Sequence, residues 1–300
     1  RHLFGLALHL EVDGVPSTKP LAIASCGNAA LAAATVARAV GRPLVVQVPT
    51  WADDGVLGRL DDLGADVRVC ERRAGEAGDP CIHRFREMVA NGAVPFCCQG
   101  TENLLTLDGG RTLGFELAAQ WAAHGSSPTR LLVQVGGGAL ASSTVQALGD
   151  VVTRGGPSTR PGLVAVQHEG CAPLVRAFNR VASAKDSMAT LVVADASSDD
   201  GSAMWPWTDP ASVATGLLDD VVYDWRALVH DMLLGPTPGG PVVATEADLV
   251  DAHALVLAHT EVSADPTGTA GLAGLLAARR HGCIDASEEV VILLTGVDRS

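Results

Sequence analysis

Three stretches of this 300-residue chain have residue types and spacing suited to chemistry. Ser25-Cys26-Gly27-Asn28-Ala29 follows the apolar run Pro20-Leu21-Ala22-Ile23-Ala24 and opens an alanine-rich segment, Leu31 to Val40. A buried strand, a tight turn and a helix start are the economical reading. Such a junction aims free backbone N–H groups and the positive end of a helix dipole at one spot, ready for an anion. The plainer alternative is a helix cap supplied by Ser25 or Asn28. Gly136-Gly137-Gly138-Ala139-Leu140 repeats the design after Leu131-Leu132-Val133-Gln134-Val135. Side-chain-free backbone lets several N–H groups approach one cluster of oxygens, so this is a phosphate cradle or a plain tight turn. Thr295-Gly296 closes the last apolar run, Val290 to Leu294. Neither a Walker A motif nor a GxGxxG fingerprint with its downstream acid is present.

These stretches need elements to position them. Leu44 to Val48, Ala65 to Val69 and Leu163 to Gln167 read as buried strands, with helices over Asp54 to Leu63 and Asp79 to Asn91. The alternation β-α-β-α-β calls for parallel sheets, in which ligands sit beyond the carboxyl ends of strands. Val94 to Cys98 is a short edge strand and Val221-Val222-Tyr223 another short strand. Gly109 to Thr112 leads into a helix from Leu113 to His124. Thr245 opens a helix through a capping box with Asp248, and Asp265-Pro266-Thr267-Gly268 introduces a helix of small residues from Thr269. The spacing of Leu3, Phe4, Leu6, Ala7, Leu10 and Val12 is helical. The stretch around Met204-Trp205-Pro206-Trp207 reads as a solvated surface excursion rather than a lid, its two tryptophans being the one hint that it packs on something.

Composition narrows the function class. The apolar fraction of 47% supports a sizeable core, and 33 glycines suit many tight strand-to-helix turns. A net charge of −13 argues against nucleic acid or an anionic membrane as partner. The seven cysteines show no CxxC pairing and no disulfide or zinc framework, which points to a reducing cytoplasm. Neither a membrane span nor a signal peptide is legible. Cys26 has no base paired with it and reads as a small filler. His168 and Glu169 end a strand, where structural hydrogen bonding competes with a substrate contact. Asp199-Asp200 reads as part of a solvated loop, and no histidine has metal-ligand spacing.

Taken together, the motifs resemble those of the fold-type II pyridoxal-phosphate enzymes, the tryptophan synthase β-subunit superfamily, in its threonine synthase and threonine/serine dehydratase branch. Ser25-Cys26-Gly27-Asn28 is similar to the family's Ser-x-Gly-Asn loop, and Leu60 to Val67 to its Leu-Gly-Ala region. Asp108 to Thr112, Gly136 to Leu140, Val166 to Pro173, Asp265 to Ala270 and Leu294-Thr295-Gly296 match later segments in order and spacing. The resemblance implies that Ser25, Cys26, Gly27, Asn28 and Ala29 hold the substrate carboxylate and that Asn28 meets the cofactor's phenolic oxygen. It further implies that Gly136, Gly137, Gly138, Ala139 and Leu140 form the phosphate loop and that Thr295 faces the ring nitrogen. A hydroxyl there does not hold that nitrogen protonated as a carboxylate would, which suits elimination and replacement chemistry.

One element of the family pattern is missing. The chain has only Lys19 and Lys185, and neither stands where the Schiff-base lysine belongs. The abrupt start at Arg1 leads to the expectation that this lysine lies just upstream. Ala29-Ala30-Leu31 is apolar where threonine synthases carry hydroxyls for a phosphorylated substrate.

The resulting expectation is an α/β protein of two lobes, residues 1–111 and 112–300, each an open, mostly parallel sheet flanked by helices, with the cofactor cleft between them. The expected activity is a pyridoxal-phosphate-dependent lyase acting on a small hydroxy amino acid such as threonine or serine. The runner-up is threonine synthase-like replacement, followed by a non-catalytic pyridoxal-phosphate-binding protein or fragment, and then a dinucleotide-binding module. A homodimer is the family's habit, and the compartment expected from the cysteines is the cytoplasm.

Overall fold

A computed structural model describes residues 1–76, 78–157, 159–184 and 203–296. The chain divides into two compact units, Arg1–Gly110 and Arg111–Ser300. The first holds α1 (His2–Val12), β1 (Leu21–Ala24), α2 (Asn28–Ala39), β2 (Leu44–Pro49), α3 (Asp54–Asp62), β3 (Asp66–Cys70), α4 (Pro80–Ala90) and β4 (Val94–Pro95). Its sheet runs β3-β2-β1-β4 with every pair parallel. All four residues of β1 are buried, as expected for a strand covered on both faces. The edge strand β3 instead carries Asp66 and Arg68, whose charges discourage pairing with another chain.

After α5 (Thr106–His124), the second unit holds β5 (Arg130–Gln134), α6 (Ala139–Thr153), β6 (Gly162–His168), α7 (Pro173–Ala182) and a 3₁₀ turn at Thr215–Leu217. It continues with α8 (Trp225–Leu234), β7 (Gly240–Ala244), α9 (Glu246–His259), α10 (Pro266–Arg280) and β8 (Val290–Ile292). Its sheet order is β7-β6-β5-β8, again all parallel. Every residue of β6 is buried. Two apolar clusters flank this sheet. One gathers Leu131, Val133, Leu163 and Leu228, and the other Leu132, Val164, Val166, Leu249 and Ala273. The expected α/β class and the two parallel sheets are therefore present.

Two local expectations fail for physical reasons. The helix expected from Leu113 starts at Thr106, so Gly109, Gly110 and Gly114 lie inside it. Two of them, Gly109 and Gly114, serve packing rather than a loop. A Cβ on Gly109 would collide with the carbonyl of Arg1, and one on Gly114 would come within 2.6 Å of the Ala147 methyl. Val221-Val222-Tyr223 is not a strand; it forms the turn before α8, with Val222 buried among the side chains around α6 and α8. The fourth strand of the second sheet is β7, whose Gly240-Pro241 start masks the β pattern. Of the two lysines, Lys19 is exposed in the turn before β1, at the opposite end of that strand from Ser25. Lys185 and Asp199-Asp200 lie outside the described residues.

Candidate active site

At the carboxyl end of β1 the chain turns through Ser25, Cys26 and Gly27 into α2, whose first residue is Asn28. Gly27 is the N-cap, and no side chain caps the helix. The plain-cap alternative, with Ser25 or Asn28 closing the helix, is therefore not what forms. Ser25 Oγ instead accepts a long 3.4 Å bond from the Gly27 N–H. Asn28 is exposed, whereas Ser25, Cys26, Gly27 and Ala29 are half-buried. Nothing lies within 4 Å of where a Gly27 Cβ would stand. Uncapped amides, an open approach and an exposed carboxamide make this turn accessible to a small anion.

The carboxyl end of β5 is built differently. Gly138 is the N-cap of α6, with φ +98° and no side-chain cap. No acceptor for the N–H groups of Gly136, Gly137 or Gly138 is found among the described residues. Each glycine is also required sterically. A Cβ on Gly136 would lie 2.6 Å from Asp219 Oδ2 and 2.7 Å from the Gly216 carbonyl. One on Gly137 would meet the Tyr223 ring at 2.9 Å, and one on Gly138 would meet Val222 at 3.0 Å and Leu228 at 3.1 Å. Within α6, Leu140 turns its carbonyl to the hydroxyls of Ser143 (3.2 Å) and Thr144 (2.7 Å). Asp224 borders the same loop, its N–H bonded to the Gly137 carbonyl at 3.3 Å. Its Oδ2 is buried without a hydrogen-bond partner, and burial pushes its carboxyl up to about 6.

Thr295 follows β8, the strand next to β5. Gln134, the last residue of β5, donates from Nε2 to Thr295 Oγ1 at 2.6 Å and to the Gly268 carbonyl at 3.4 Å. The Thr295 N–H donates to that same carbonyl at 3.2 Å. Asp265 caps α10 by accepting from the Gly268 N–H at 2.7 Å. The second unit thus gathers Gly136 to Leu140 and Thr295 at the carboxyl ends of neighbouring strands, while Ser25 to Ala29 occupies the corresponding end of β1 in the first unit.

The residue that sequence reading missed is Gln134. A polar side chain at the end of Leu131-Leu132-Val133-Gln134 was the available signal. His168 and Glu169 prove to have structural partners. His168 Nδ1 accepts from the Gly170 N–H at 3.1 Å, and Glu169 Oε1 accepts from the Glu246 N–H at 3.1 Å. Cys26 packs against the apolar cluster of the first unit. The tryptophans are not part of a merely solvated loop: Arg176 lies 4.4 Å from the Trp205 ring and 4.6 Å from the Trp207 ring. Among the described residues no cluster of three or more His, Cys, Asp or Glu side chains is arranged to hold a metal ion, and no helix is long and apolar enough to cross a membrane.

Comparison with known proteins decides the family, because the description "Pyridoxal-phosphate dependent enzyme" matches residues 3–296. The chain belongs to the pyridoxal-phosphate dependent enzyme family. It is 24% identical over 278 residues to the threonine synthase of Methanocaldococcus jannaschii, a match that covers 91% of this chain and 60% of that relative. It is 30% identical over 133 residues to the L-serine dehydratase/L-threonine deaminase of Bos taurus, covering 44% of this chain and 38% of that one. The chain therefore spans less than two thirds of the length of these relatives. Its fold is similar to that of the processed form of threonine deaminase isoform 2 from Solanum lycopersicum, with a TM-score of 0.73 at 15% identity over 100% of this chain and 75% of the other.

The residues of this family member fit its cofactor at two points. Ahead of α6, the Gly136, Gly137 and Gly138 N–H groups have no acceptor among the described residues and no side chain caps the helix, an arrangement that a phosphate fits. Thr295 offers a hydroxyl at the carboxyl end of the same sheet, of a chemistry that fits a pyridine nitrogen.

Proposed function

We propose that this family member acts as a pyridoxal-phosphate-dependent lyase on a small hydroxy amino acid such as serine or threonine. The observation that carries the reading is the pairing of an uncapped glycine helix start at Gly138 with a hydroxyl, not a carboxylate, at Thr295. Gly136, Gly137, Gly138 and Ala139 would hold the cofactor phosphate through N–H groups, and the α6 dipole favours the same charge. Thr295 would serve the ring nitrogen. Pyridoxal phosphate, when bound, supplies the electron sink that allows the substrate Cα–H bond to break. Asn28, exposed at the first position of α2, would donate its carboxamide N–H to the phenolic oxygen. The uncapped amides behind Gly27 would hold the substrate carboxylate and orient its Cα–H bond. Proton removal needs a lysine, and Lys19, at the far end of β1, is not placed for that work.

Ammonia release from L-serine and L-threonine by the full-length protein, reconstituted with cofactor, tests this reading. Asn28→Ala should lower kcat/KM by about 10- to 100-fold with the fold intact. Failure of the wild-type protein to take up cofactor colour, or to release ammonia, would overturn it. Replacement chemistry of the threonine synthase kind is the second reading, favoured by the relative matched over 91% of this chain. Phosphate release from a phosphorylated hydroxy amino acid would establish it. The apolar Ala29, Ala30 and Leu31 behind Asn28 weigh against it.

A further inference from the structure

Gln134 stands in a tight polar arrangement that the proposed roles do not use. Its Nε2 donates to Thr295 Oγ1 at 2.6 Å, and the 3.4 Å approach of the same atom to the Gly268 carbonyl identifies it as the nitrogen, since a carbonyl accepts only from a donor. Its Oε1 is buried without a partner. A threonine hydroxyl has one proton to give and two lone pairs. Gln134 takes one lone pair, and no acceptor for the Thr295 proton is found among the described residues. Gly268 O, the nearby carbonyl, already accepts from the Thr295 N–H and from Gln134.

We infer that Gln134 is a positioning residue that sets the polarity of Thr295, keeping its hydroxyl a donor toward the cofactor's ring nitrogen. The inference rests on the cofactor placement proposed above. An unprotonated ring nitrogen accepts the waiting Thr295 proton. A protonated one has to donate instead, which leaves the hydroxyl proton without a partner. Gln134 thus selects the unprotonated ring through a residue it touches, without meeting the cofactor itself. The packing around it is tight on the α10 side as well. A Cβ on Gly268 would collide with the Thr295 carbonyl, and one on Gly271 would lie 3.5 Å from Gln134 Oε1.

The test uses 4-deoxypyridoxine 5′-phosphate labelled with ¹⁵N in the ring, which binds without a covalent link to lysine. The ¹⁵N signal is followed against pH on the full chain. The wild-type protein should hold the ring nitrogen unprotonated at neutral pH. Gln134→Glu replaces the donor by an acceptor that takes the Thr295 proton, and its charge favours a cationic ring. The ring-nitrogen pKa should then rise by one unit or more, about a tenfold change in the protonation equilibrium. Gln134→Met keeps the volume and removes both polar ends, and serves as the second variant if the buried carboxylate prevents folding. It should raise the ring pKa less and match Thr295→Val in direction. If both Gln134 variants leave the signal at its wild-type position while Thr295→Val moves it, the positioning role is wrong and the cofactor site stands. If the folded wild-type chain does not bind the analogue, the cofactor placement fails and takes this inference with it.

Discussion

Two helix starts, at Gly27 and at Gly138, look alike in sequence and differ in build. Both follow buried parallel strands, and both lack a side-chain cap, unlike the starts of α3, α4, α9 and α10, which Asp53, Asp79, Thr245 and Asp265 close. Around Gly27 there is open space, and its φ of −129° is one that other residues adopt. Around Gly138 the backbone is left-handed and the would-be Cβ meets Val222, Leu228 and Asp224. The first loop leaves open space in front of it. The second is small because the protein already fills the space behind it. A glycine in a binding motif therefore has two distinct physical reasons, and only the structure separates them.

Substitution by alanine at each position breaks or sharpens this contrast most directly. Gly138→Ala forces a Cβ into a left-handed, crowded position and should cost about 2–4 kcal/mol in chemical denaturation. Gly27→Ala should cost about 1 kcal/mol or less, because its surroundings are open. Equal costs would erase the distinction. The acid beside the crowded loop gives the next effect. Burial raises the folded-state pKa of Asp224 to about 6 from the usual carboxylate value, so its favourable contribution is present in acid and lost as pH rises toward and through about 6. Asp224→Asn should thus stabilise the protein above pH 7 by up to about 2–3 kcal/mol and leave it little changed near pH 4. Thermal melts at the two pH values decide the sign.

A smaller effect comes from the segment behind the loop. Arg176 lies against both tryptophan rings and donates from Nη2 to the Trp205 carbonyl at 2.6 Å, while the Trp207 N–H donates to the Asp220 carbonyl at 2.9 Å. That chain of contacts leads to Asp219, whose carboxylate lines the Cβ side of Gly136. Arg176→Ala should cost about 1–2 kcal/mol and red-shift tryptophan emission. No change in emission would disconnect the segment from the loop.

Much of the fold is legible because parallel strands buried on both faces appear as continuous apolar runs. Leu21 to Ala24 and Leu163 to Gln167 are such runs, and the structure pairs them in parallel. The Thr245–Asp248 capping box is also as read, with the Asp248 N–H donating to Thr245 Oγ1 and the Thr245 N–H to Asp248 Oδ2. The start of α5 was not legible, since Gly109 and Gly110 look like loop residues until the close approach of Arg1 explains one of them. Val221 to Tyr223 has β-branched character, but its place against the glycine loop is a tertiary matter that no local pattern encodes. Within the candidate site the loops were readable from small residues after strands. The link from Gln134 to Thr295 was not, because it joins the end of one strand to the segment after another, far apart in the chain.

Gly268 carries a consequence for how this sequence can vary. Its Cα lies against the Thr295 carbonyl, and its own carbonyl takes bonds from both Thr295 and Gln134. A larger residue at 268 would push the end of β8 outward and pull Thr295 from both partners. The residue at 268 is therefore tied to the course of the backbone at 295, and a change there disturbs both neighbours at once.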